Sequence, residues 1–316
     1  MKKIIVVAFL FFTTNAFGCL NIFAVDSTGR THYLEHHFFF SIEFKQQAII
    51  KKLKSLEKAF IKNDYDFKNI SDYGAYLLMS GHNTEGLTLF RALSKKYPDV
   101  YEIRANTAVA YELNGNIDSA YFWQVAAIKL KPNAHNNSEW IHLKILEAKK
   151  QMLTDPDWCL KNNVTGITDS ISLYYKYSLH EDGQGMWILK QFIDQLEERL
   201  PFTYSEDKPM GKLIFELGNA YQAASIYRAY YCYAIAKYLY PQLASFADEK
   251  MRQIKIKYPK EVINKPKVSN KSGVTREMYP PDDKDVRQFL NEIMNRPSIK
   301  GYKFKSISFE ELINKI

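Results

Sequence analysis

The chain has 316 residues, enough for one large domain or two modest ones, and 46% of them are apolar, so a sizeable core can be buried. Only 13 residues are Gly and 11 are Pro, which argues against an all-β or low-complexity chain. The formal net charge is +8, and without Lys2 and Lys3 it falls to 41 basic against 35 acidic residues. That mild, dispersed excess lacks the clustered basic stripe with aromatic platforms that nucleic-acid binding needs.

Residues 1–18 read as a secretory signal: Lys2 and Lys3 are followed by the apolar stretch Ile4 to Phe12, far shorter than the roughly 20 residues that span a bilayer. Two cleavages fit its end. Ala16 and Gly18 satisfy the small-x-small rule of ordinary signal peptidase, and Gly18-Cys19 resembles a bacterial lipobox, in which Cys19 is lipidated. Ala16 stands where that motif usually has Leu, and Phe17 where it has a small residue. Cys159 and Cys232 are the other two cysteines; an exported compartment permits a bridge, but spacing does not decide it.

Residues 19–66 hold an expected short hairpin and a capping helix. Leu20 to Val25 and Thr31 to Leu34 flank the turn-rich Asp26-Ser27-Thr28-Gly29-Arg30. From Ser41 the period changes: Phe44, Ala48, Ile49, Leu53, Leu56 and Phe60 mark one buried face, with Lys51, Lys52, Lys54 and Lys58 between them.

Residues 67–153 carry a 34-residue period. A first copy supplies Gly74, Leu77, Gly81, Gly86, Phe90, Leu93 and Pro98; a second supplies Ala108, Tyr111, Gly115, Ala120, Gln124, Ala127 and Pro132. Small residues are needed where two helices approach closely, Gly takes turn dihedrals that other residues avoid, and Pro ends the second helix. Gln124 stands where the pattern wants an aromatic residue, and neighbouring Trp123 is expected to fill that volume. Beyond Pro132, Ser138 is expected to cap a helix through Trp140, Ile141, Leu143, Ile145, Leu146 and Ala148.

Residues 154–208 break the pattern. Thr154-Asp155-Pro156-Asp157 interrupts it, Ile171 to Leu179 alternate as in a strand, and His180 to Gly185 read as a loop. Leu189, Phe192, Ile193, Leu196 and Leu200 then mark a helix ending at Pro201. Residues 209–257 hold a third copy, with Gly218, Tyr221, Ala229, Tyr233, Ala236 and Pro241 at the signature positions after deletion of one turn residue, and a capping helix over Ala244 to Ile254. Residues 258–283 read as a linker. The tail, 284–316, holds two short amphipathic helices, one with Val286, Phe289, Leu290 and Ile293, the other with Phe309, Leu312 and Ile313, free to dock on the array or on a partner.

The period and its residues resemble the tetratricopeptide repeat family, most closely over 67–134 and 211–241. The resemblance implies a mainly all-α solenoid of helix pairs, with the hairpin and the 154–208 insertion outside it, and protein or peptide binding in its concave groove without catalysis. By repeat register the polar groove positions are Lys68, Asp72, Glu102, Asn106, Glu112, Lys212, Glu216, Asn219 and Gln222. Asn106 occupies a position where peptide-clamp members of the family carry a backbone-binding Asn. Asp72 and Glu216 stand at the corresponding places, so a basic carboxylate clamp is not expected.

Chemistry-bearing clusters are sparse. His32, Glu35, His36 and His37 form the only dense histidine group, and their expected strand-end setting favours a structural role over a metal site. Asp155, Asp157, Glu181 and Asp182 lie in loops without a second matching pair, and no phosphate-loop, dinucleotide or nucleophile-elbow motif occurs. The reading is a non-enzymatic scaffold of the bacterial cell envelope with no cofactor, no metal and no nucleic acid, binding an envelope protein or peptide and anchored to the membrane if Cys19 is acylated. The alternative is an envelope enzyme or enzyme accessory subunit whose site lies in 154–208.

Overall fold

The computed structural model describes residues 46–166, 184–199, 206–222, 226–257 and 308–316. The expected signal segment, Cys19, the hairpin, the His32–His37 group, the 171–179 strand, the 258–283 linker and the 286–293 helix lie outside these residues. Among the described residues the chain is helical and holds no strand.

Five helices open the fold: α1 (Gln46–Ile61), α2 (Phe67–Met79), α3 (Asn83–Lys96), α4 (Tyr101–Leu113) and α5 (Ile117–Leu130). Each packs on the next in sequence. Short connections force this, since a two- to five-residue turn leaves successive helices as antiparallel neighbours. Leu53, Phe60, Leu77, Leu89, Phe90 and Ile103 are buried in one shared apolar core. At its edge Phe60 meets Tyr73 edge-on at 5.4 Å, and Tyr73 Oη donates to Glu57 at 3.2 Å.

The turns after α2 and α4 have the same geometry 34 residues apart. Ser80 (φ −95°, ψ 3°) and Asn114 (φ −95°, ψ 9°) cap the helices. Gly81 (φ 83°) and Gly115 (φ 78°) follow in the left-handed region. The next amides, of His82 and Asn116, donate back to the carbonyls of Leu77 and Tyr111 at 2.9 and 3.0 Å. That bond, with Gly81 to Leu78 and Gly115 to Glu112, satisfies carbonyls that a helix end would leave bare.

The ends of the second helices also match. Tyr97, Lys131 and Tyr240 precede Pro98, Pro132 and Pro241 and have ψ of 62°, 79° and 82°. The proline ring bars the helical region to the residue before it. Each of the three amides closes the last turn on Leu93, Ala127 or Ala236.

After α5 a left-handed turn over Ala134–Asn137 leads into α7 (Glu139–Gln151); the turn, counted as α6, places His135, Asn136 and Asn137 at φ 48°, 56° and 62°. The short α8 (Trp158–Lys161) precedes α9 (Gln184–Arg199), α10 (Lys208–Tyr221) and α11 (Ile226–Leu239). A 3-10 turn, Pro241–Leu243, leads to α12 (Ala244–Lys257), and α13 spans Phe309–Lys315. Gln184 and Gly185, expected in a loop, belong to α9. A second core joins α7 to α12 through Ile145, Leu196, Leu213, Ile214, Leu217, Tyr230 and Leu239.

Candidate functional site

Close helix approach is visible at the small residues. A methyl on Gly74 would lie 3.0 Å from the Phe90 ring, and one on Gly218 would lie 2.8 Å from the Tyr233 ring. Ala108, Ala120, Ala127, Ala229, Tyr233 and Ala236 are fully buried, and Tyr221 is nearly so. Tyr111 is half-buried, and Pro98, Pro132 and Pro241 are exposed at the surface.

The polar groove positions depart from expectation. Read as exposed positions lining an open groove, five of them lie in the interior: Asp72 is 1% exposed, Asn106 0%, Glu112 5%, Lys212 8% and Glu216 6%. Lys68 is exposed and Glu102 half-buried, the latter 3.9 Å from Lys131. Asn219 and Gln222 are engaged by Tyr233, whose hydroxyl donates to Asn219 Oδ1 at 2.8 Å and accepts from Gln222 Nε2 at 2.8 Å.

Glu112, near the end of α4, is the centre of one buried group. Its carboxylate accepts from Arg199 Nη2 of α9, from Lys149 Nζ of α7 at 2.8 Å and from His142 Nε2 of α7 at 2.9 Å. Lys149 also reaches Asp207 at 3.3 Å, and Asp207 Oδ1 caps α10 by accepting from Met210 N at 3.0 Å. Two cations thus face two carboxylates. Burial alone would raise the Glu112 carboxyl, but Arg199, Lys149 and the His142 bond hold it well below its ordinary value. Burial and the Arg199 charge together depress His142 against the pull of Glu112, which leaves a neutral imidazole donating to a carboxylate.

Glu139 anchors a second group at the start of α7. Its carboxylate engages His135 Nδ1 and Gln124 Nε2, and accepts from Tyr101 Oη at 3.2 Å. Burial opposes its charge, yet His135 and Gln124 bring its carboxyl down to about 2. The aromatic position of the second copy is therefore filled by a hydrogen-bonding residue. Trp123 does not replace it: Gln124 is fully buried, whereas Trp123 is half-buried against Phe122.

The insertion supplies much of what covers these positions. From α9, Gln191 accepts from Trp140 Nε1 at 2.8 Å, Asp194 from Asn136 Nδ2 at 2.6 Å, and Gln195 donates to Ser138 Oγ at 3.1 Å. Ser138 thus makes no side-chain cap of α7, contrary to expectation. Glu216 accepts from the amides of Val164 and Thr165 at 2.6 and 3.1 Å and from the Thr165 hydroxyl. Burial pushes its carboxyl up to about 6 despite these bonds and nearby Lys212, whose own ammonium burial depresses. Gln191, Asp194, Gln195 and Arg199 were absent from the sequence-derived site, although their spacing on α9 marks a polar stripe.

Chemically, these groups hold helices together. The imidazole is neutral, the carboxylates are saturated with donors, and neither group contains a Ser or Cys nucleophile. Among the described residues no cluster of three or more His, Cys, Asp or Glu is able to hold a metal. Cys159 and Cys232 are buried and unbridged. No described helix is long and apolar enough to cross a membrane. Against protein-family models, curated proteins and solved structures, the chain finds no match.

Proposed function

We propose that the chain is a non-enzymatic protein-binding scaffold of the bacterial cell envelope, built as a tetratricopeptide-like solenoid and exported with Cys19 as its lipid anchor. The observation that carries this reading is the recurrence of one turn geometry at Gly81 and Gly115, 34 residues apart. A period of that length, with a left-handed glycine between paired helices, is how such arrays are built, and their established use is to present surface to other proteins. The matched pre-proline turns at Tyr97, Lys131 and Tyr240 support the same reading. The buried carboxylates Glu112 and Glu216 serve the array's own cohesion, so a partner is met by the polar positions that remain accessible, Lys68 and Glu102.

Site-specific crosslinking from positions 68 and 102 in intact cells is the test. A discrete crosslinked partner, lost in the Lys68→Glu, Glu102→Lys variant, is the expected result. Substrate turnover by the purified chain alone would overturn the scaffold reading. Membrane partitioning unchanged by Cys19→Ser would overturn the anchor.

A further inference from the structure

The last described helix, α13, lies far from α1 and α2 in sequence but packs with them. Leu312 is 2% exposed and joins the core of Leu53, Phe60 and Leu77, and Phe309, Ile313 and Ile316 pack against the same core. These four positions follow the i, i+3, i+4, i+7 pattern by which an amphipathic helix seats in a groove. Tyr65, in the α1–α2 turn, makes the polar contacts: its hydroxyl donates to Glu311 at 3.4 Å, and Lys315 Nζ lies 5.3 Å from its ring centroid. Ser308 Oγ caps the helix by accepting from Glu311 N at 2.9 Å. A seven-residue helix is too short to hold its shape alone in water, so α13 is a helix because of the surface it meets.

We propose that the surface around Tyr65 is a docking site for this helix in trans, so that a second copy of the chain exchanges its 308–316 segment with the first. The occupant is argued from the fit itself: a second copy offers the identical apolar face and the same Glu311 and Lys315 to Tyr65. Residues 258–307 separate α12 from the segment, a contour of up to roughly 160 Å, ample to reach a neighbouring molecule. Reciprocal exchange makes both contacts at once and closes the pair as an isologous dimer. Seating within one chain competes with it at an effective concentration on the order of millimolar, so exchange appears as concentration approaches that value.

The experiment uses the full chain and a fluorescent peptide of residues 308–316. The Leu312→Asp chain, whose own tail no longer seats, is expected to bind the peptide at least about tenfold more tightly than the natural chain. Adding Tyr65→Ala to it weakens that binding. Light scattering over a concentration series is expected to show the natural chain passing from monomer to dimer and the Leu312→Asp chain remaining monomeric. Ile313→Asp, at a half-buried position, replaces Leu312→Asp if the latter loses helical circular dichroism. A folded tail variant that ignores the peptide overturns the docking site. Peptide binding together with a natural chain that stays monomeric up to millimolar concentration overturns the second copy as its occupant.

Discussion

Arg199, in the last turn of α9, donates to the carboxylate of Glu112 near the end of α4, a residue 87 positions earlier in the sequence. Both side chains are almost wholly removed from solvent, at 2% and 1% exposure. Removing one partner of a buried pair strands the other charge. Arg199→Ala is therefore expected to lower unfolding free energy by about 3–5 kcal/mol. Glu112→Ala also releases Lys149 and His142, and the double variant costs less than the two losses added together. Urea unfolding of the three variants measures this; additive losses would show that the two residues act independently.

Alanine at Gly81 and at Gly115 is expected to destabilise by similar amounts, about 1–2 kcal/mol each, because both hold φ near +80°. No atom lies within 4 Å of the added methyl at either site, so the cost is conformational. Asparagine, which tolerates the left-handed region, should cost less than alanine at both. Gly74→Ala differs in kind, since its methyl would press on the Phe90 ring at 3.0 Å. Thermal unfolding of the set distinguishes the two causes: Asn rescues relative to Ala at positions 81 and 115, but not at 74.

Glu216 and Glu139 make opposite contributions to pH dependence. Burial raises the Glu216 carboxyl from 4.5 to about 6 in the fold, so the folded state binds the proton more tightly than the unfolded one. Its contribution is full below about pH 4.5 and is lost as pH rises through 6, about 2 kcal/mol in all. Glu139, brought down to about 2, contributes stability above pH 4.5 that is lost as pH falls towards 2. Glu216→Gln should therefore gain about 2 kcal/mol relative to the natural chain between pH 4.5 and 7. Denaturation midpoints across that range test this, and a pH-independent difference between the two chains would refute it.

Helix positions and the spacing of turns were legible because they depend on neighbouring residues. Gly81, Gly115 and the prolines act through their own backbone dihedrals, and the sequence displays them directly. The setting of Glu112, Glu139 and Glu216 was not legible in the same way. Register places these side chains on a helix face, but their burial depends on α9 and on Val164 and Thr165, which follow no repeat. The polar stripe Gln191, Asp194, Gln195 and Arg199 is a pattern that usually faces water, and only the packing shows it turned towards Ser138, Trp140 and Glu112. Gln124 was visible as an exception to the pattern, but its reason, the Glu139 carboxylate, lies in the next helix pair.

The group centred on Glu112 restricts how this chain can change over time. In a uniform array one module can be duplicated or deleted in frame, because every unit offers its neighbours the same faces. Here α4, α7 and α9 each supply charge that only the others neutralise, and Asp207 extends the balance to α10. Excising one 34-residue unit from this stretch would leave ions without counterparts in the interior. The middle of the molecule is thus committed to its present length, and variation in unit number is left to other parts of the chain.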